Sequence, residues 1–186
     1  ELKEKLPALP PDVTGVIHKR RHIFLGRWMK HGVYPVKLLR LFRHGAARCE
    51  QRHMDEHMEL SRGRAVEFEH DFVDENLNGL GWWAHKHVDY SARELADLED
   101  ILSSAAADSG INGQAERKRA MKERYARQPL FWRSFAYFCY RYFLKLGFLD
   151  GREGFLWHFM QGWWYRTLVD ARQFEKQKKG SGKTAR

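Results

Sequence analysis

Cysteine is scarce in this sequence: Cys49 and Cys139 are the only two in 186 residues, far apart and in no C-x-x-C pair. That excludes a disulfide framework and a thiolate zinc site, and both thiols are expected reduced, as in a cytosolic protein. No signal peptide opens the chain, and no run of roughly 18 uncharged apolar residues is present to span a bilayer. H-E-x-x-H is missing, so His53 and His57, or His85 and His87 near His70, read as scattered surface or hydrogen-bonding histidines rather than metal ligands. The tail GSGKT at 180–184 imitates a phosphate loop. The first glycine of G-x-x-x-x-G-K-T would fall on Gln177, however, and two residues remain to build the helix whose N-terminus binds phosphate. Initiator methionine is also lacking: the chain opens ELKEKLPALPPDVTG, and we expect a segment upstream of Glu1.

Acidic residues are outnumbered. Lys and Arg total 33 against 24 Asp and Glu, a formal net charge of +9, and such a field draws phosphates, whether of nucleic acid, anionic lipid or a small molecule. A hydrophobic fraction of 43% over this length supports one folded domain with an appended subdomain. Residues 13–25, VTGVIHKRRHIFL, are β-branched and aromatic around a basic middle, and YPVKLLRLF at 34–42 reads as a second strand. HGAA at 44–47 turns the chain, Gly63 marks another turn, and Val66 and Phe68 alternate with charged neighbours as on a half-buried strand. Ser91 with Glu94 has the spacing of a capping box, and Leu95, Leu98, Ile101 and Leu102 follow at helical spacing, which predicts a helix from about residue 91 to about 106. AERKRAMKERYARQ is a charged helix or linker ending before Pro129.

Aromatic residues crowd the segment from Pro129 to Glu175 in two helix-length runs separated by Gly147 and the Asp150-Gly151 turn. Arg133, Arg141 and Lys145 interrupt the first run on roughly one side of a helical wheel. Two readings stay open: a buried helical hairpin covering the domain, or an interfacial patch with rings at lipid headgroup level and basic side chains on phosphates. The rings lie among Leu, Met and Cys rather than interleaved with Lys and Arg on a sheet, and no nucleic-acid motif is present, so nucleic acid is not an expected partner.

RHMDEHMEL at 52–60 sets Asp55 and Glu56 side by side. They form either a solvated charged bend or a catalytic pair, of which one carboxylate takes a proton from an acceptor hydroxyl. Adjacent residues on extended backbone point to opposite faces, so only one of the two would reach such a site.

In order, GVIHKRRHIFLGRWMKHGVYPVKLLRLFRHGAARCEQRHMDEH, FEHDFVDENLNGLGWWAHKHVDYSAREL and GFLDGREGF resemble the C-terminal half of bacterial family 2 glycosyltransferases of the lipopolysaccharide, exopolysaccharide and colanic acid type. The resemblance implies an α/β fold, the C-terminal part of a GT-A-like domain with a short mixed sheet plus helices over residues 1–128. An aromatic-rich helical hairpin at 129–176 and a basic flexible tail at 177–186 would follow. It implies a nucleotide-sugar donor, a glycan or lipid-linked acceptor, inverting transfer, and a location in the cytoplasm, peripheral to the inner membrane and its anionic surface. In such enzymes a D-x-D-like motif holds Mn²⁺ or Mg²⁺ on the diphosphate. This chain has none, DFVD at 71–74 and DLED at 97–100 being wrongly spaced, and that half would precede Glu1. By the same resemblance Glu56 is the expected base with Asp55 second, and Arg40, Arg43, Lys86 and His87 are candidates to hold phosphate. The rival expectation is a non-enzymatic, basic membrane- or partner-binding module.

Overall fold

A computed structural model of the chain describes residues 1–50, 54, 57–104 and 114–181. The chain is mixed α/β, a small sheet backed by helices. Its axis is β1 (Val13–Phe24), whose β-branched and aromatic side chains give it twelve extended residues. β3 (Val36–Phe42) pairs antiparallel along one edge, from Gly15↔Phe42 to Arg20↔Val36, and the short β2 (Arg27–Trp28) completes that edge as a hairpin. Along the other edge β6 (Arg64–Glu67) and β7 (Phe72–Glu75) follow one another, both parallel to β1. The register slips between Val16 and Ile17, where Leu41 and Leu39 are the respective partners, so Arg40 is the extra residue of a bulge. A bulge re-aims the side chain it carries. β4 (Ala47–Cys49) and β5 (Met58–Leu60) form a separate antiparallel ribbon, and β5 packs on β3. Asp55 and Glu56, between the two strands of this ribbon in sequence, lie outside the described residues.

The helical layer begins with α2 (Leu80–Ser104), after the short α1 (Leu2–Lys5) at the start of the chain. The capping box expected at Ser91 and Glu94 is not one, because α2 is already helical from Leu80. Ser91 is buried in its interior, its hydroxyl donating to the Val88 carbonyl and accepting from Arg172 Nε at 2.7 Å. Glu94 is buried too and faces Lys122 at 3.3 Å, on α3 (Gln114–Ala126). A tertiary partner on each residue thus replaces the local cap.

α4 (Trp132–Cys139) passes into a π-helical turn (Tyr140–Leu144) and a 3₁₀ turn (Gly147–Asp150). From there α5 (Gly151–Trp157), a second π-helical turn (His158–Trp164) and α6 (Tyr165–Ser181) make one long rod, which carries helix into the expected tail as far as Ser181. Two apolar clusters hold the layers together. Phe24, Met29, Trp83 and Trp157 join sheet to helices, and Leu98, Ala126, Tyr165 and Val169 join α2, α3 and α6. Trp164 packs against both.

Charged side chains pin the hairpin from inside. Arg133 is 3% exposed and bonds Asp170 Oδ1 at 2.7 Å through Nε, the Ala126 carbonyl and Gln173, while the Phe131 amide donates to Asp170 Oδ2 at 2.8 Å. At the far end Asp150 accepts from the His31 amide at 2.8 Å and lies 2.7 Å from its Nδ1. Arg141, 5% exposed, donates to the Gly32 carbonyl at 3.2 Å. Gly32 has φ +77°, and a side chain there would strike the His158 ring, so the 31–32 loop can press this closely only as glycine. Arg133 and Arg141 therefore do not form a solvated stripe, as a water-facing wheel would have them; they face the interior, drawn by acceptors remote in sequence.

Candidate functional site

Strand alternation puts His18, Arg20 and His22 of β1 on one face, and Phe72 and Asp74 of β7 share that period. Arg20 Nη1 lies 3.5 Å and His22 Nδ1 3.8 Å from Asp74 Oδ2. The bulge sends Arg40 across β1 until its guanidinium stands 5.3 Å from the centre of the Phe72 ring. Asp74 is held below the usual carboxylate range, first by the His22 imidazole and then, against its partial burial, by the charges of Arg20 and Arg40. One carboxylate thus faces three cationic or protonatable groups, and Arg20 also lies close enough for its charge to be felt at Arg141. Burial pulls the Arg141 guanidinium below its ordinary value, and its Nη1 reaches Gln161 at 3.4 Å.

Two guanidinium donors here, Arg20 Nε and Arg141 Nη2, are buried without a hydrogen-bond acceptor, and the two ring nitrogens of His22 are buried without a hydrogen-bond partner. Each such group costs on the order of 1–3 kcal/mol unless a partner arrives. Two guanidinium donors without acceptors suit an anion better than a cation. A groove of about 690 Å³ opens between α1 and the sheet, and its wall carries Arg40, Lys3 and Phe72 together with the acids Glu1, Glu4 and Asp71. The Arg40 guanidinium beside the Phe72 ring, with room for a small molecule, is the part of this wall that suits a phosphorylated ligand.

The sequence candidates fall differently. Arg40 lies in the groove wall. Arg43 is a strap, donating through Nε to the Val13 carbonyl at 3.0 Å and through Nη2 toward Leu9. Lys86 rests over the Trp82 and Tyr90 rings, at 4.9 and 5.2 Å. His87 stacks on Trp83 at 3.5 Å between centroids and donates from Nδ1 to the Trp83 carbonyl, and burial lowers its pKa. Arg40 is brought to Arg20, His22 and Asp74; Arg43, Lys86 and His87 are engaged elsewhere, and Glu56 and Asp55 lie outside the described residues. The signal that could have found Arg20 and His22 was the two-residue period inside HKRRH.

The divalent metal that the resemblance implies belongs with the half expected before Glu1, and the described residues do not form a site for one. Asp74, the carboxylate of the basic row, is already turned toward Arg20 and His22, and among the described residues no group of three His, Cys, Asp or Glu side chains converges. We therefore derive no step through a metal ion. Compared with protein-family models, curated proteins and solved structures, the chain matches none.

Proposed function

We propose that the chain is the acceptor-side, C-terminal portion of a GT-A-like inverting glycosyltransferase, moving a sugar from a nucleoside diphosphate to a glycan or lipid-linked acceptor in bacterial surface polysaccharide synthesis. The observation that carries the reading is the buried guanidinium donors of Arg20 and Arg141 that lack an acceptor, with Arg40 on the neighbouring strand in the wall of a groove. Guanidinium groups offset the charge that grows on a departing diphosphate. The ribbon β4–β5, whose connection carries Asp55 and Glu56, packs through β5 on the strand of Arg40. In this reading Glu56 accepts the proton of the acceptor hydroxyl as its oxygen bonds to the anomeric carbon. The bond from that carbon to the diphosphate oxygen breaks on the opposite side, so configuration inverts. A lipid-linked acceptor would put the reaction on the cytoplasmic face of an inner membrane, with the enzyme peripheral to it; among the described residues no helix is long and apolar enough to cross a membrane.

Transfer of labelled sugar from nucleoside-diphosphate donors into lipid-extractable product tests this directly. Glu56→Gln should lower the rate by about a hundredfold or more, the usual scale for removing a general base, and Asp55→Asn by less. Assayed together with the half that this reading places before Glu1, transfer that survives Glu56→Gln intact, or no transfer with native Glu56, removes the enzymatic reading. The alternative, a non-enzymatic membrane- or partner-binding module, is favoured by one observation, the rings exposed on α4 and the turns after it.

A further inference from the structure

We propose that the outer face of the hairpin from Phe131 to Phe155 is a seat for an anionic lipid bilayer. The inference is independent of sugar transfer, since it rests on a different surface. A helix in contact with water turns its charges out and its rings in. Here the order is reversed. Arg133 and Arg141 are buried, while Trp132 is 70% exposed, Phe143 54% and Leu144 75%.

The rings are not scattered: exposed Trp132, Phe135 and Phe155 are linked through the half-buried Trp163, Phe159 and Tyr142. Trp132, Phe135, Trp163, Phe159, Phe155 and Tyr142 follow one another with successive centroid distances between 5.0 and 6.3 Å, one connected aromatic face. It ends in an apex where Phe143, Leu144, Leu146, Phe148 and Leu149 are all exposed, around a 3₁₀ turn that projects them. Backbone strain points the same way. Among the described residues the non-glycine positions with positive φ are Leu25, Phe131 and Leu146, and all three carry exposed apolar side chains. A left-handed leucine in water bears both a steric cost and a hydration cost, and insertion into the acyl boundary offsets the second.

Charge identifies the occupant. No Asp or Glu occurs from Phe131 to Leu149, and the next acid, Asp150, is buried against His31. Lys145 and Arg152 are exposed at the apex and just beyond it, and the chain as a whole carries +9. Glu153, the one acid after Asp150 on this face, pairs with Arg27 at 3.5 Å, and rings at headgroup level with cations beside them complement an anionic bilayer. The buried contacts of Arg133 with Asp170 and of Arg141 with Gly32 hold the rings outward.

Flotation of the full chain with phosphatidylcholine vesicles, with and without phosphatidylglycerol, tests the proposal. The native chain should float with the anionic vesicles and weakly or not at all with the neutral ones. Leu144→Ser combined with Phe148→Ser should lower partitioning at least about tenfold. Leu146→Gly is the control against misfolding, because relief of the positive φ should raise the melting temperature while partitioning falls. The proposal fails if the native chain floats with neither composition or equally with both, or if the two variants bind as it does. It also fails if sedimentation shows a dimer that these substitutions dissolve, which would assign the face to a second copy. Loss of lipid binding would leave nucleotide binding at the groove intact, so the two readings fail separately.

Discussion

His158 shows how the helical layer sets the chemistry of one residue. Burial and then the neighbouring charge of Arg141 hold its imidazole down to about 4, while the His31 carbonyl and Asp150 act in the opposite sense. The ring is neutral at pH 7, with Nε2–H donating to the His31 carbonyl at 3.2 Å. The unfolded chain binds a proton near the ordinary value of 6.5, and the folded chain does so only near 4. Between these values the unfolded state holds more protons, so this contribution to stability is complete above 6.5 and is lost as pH falls toward 4. Thermal melts across that window should show a decline that His158→Gln makes shallower; an unchanged slope would contradict the assignment. Asp74 works in the same sense at lower pH, its depressed carboxyl contributing stability that disappears as acid protonates it.

Among elements, the hairpin that follows Pro129 depends on its buried ends. Asp170 serves Arg133 and the Phe131 amide together, so Asp170→Asn leaves a buried guanidinium without its counter-charge. Loss of about 3–5 kcal/mol is expected, measured by denaturant unfolding, and a neutral result would show the pair to be replaceable. This element also marks the limit of what was legible. Its aromatic periodicity was plain, and the wheel put arginines and rings on different faces. Which face turns inward was decided by Asp170 and the Gly32 carbonyl, partners that local spacing does not reveal. The same holds at Ser91, where a pattern that reads as a helix start is an interior position because Arg172, eighty-one positions along, completes its hydrogen bonds. The strands at 13–25 and 34–42 were legible since their β-branched residues act locally. β7 was not read: FVDE is short, and its pairing with β1 spans a long stretch of chain. Arg40, in the groove wall, was found, whereas Arg20, His22 and Arg141 converge only through strand pairing and helix docking.

For the molecule as a whole, Arg133 and Arg141 face inward while apolar side chains cover an outer face. The two proposals put a phosphorylated ligand on one side and lipid on the other. The groove claim is the one on which the functional reading depends. Titration calorimetry of the full chain with a nucleoside-diphosphate sugar at low salt tests it most directly. Binding should be measurable, weaken as salt screens the guanidinium groups, and fall about tenfold or more in Arg40→Ala and Arg20→Ala, with Arg43→Ala little changed because that side chain only straps the sheet edge. No heat of binding at low salt, or equal affinity in Arg40→Ala and the native chain, would contradict the account.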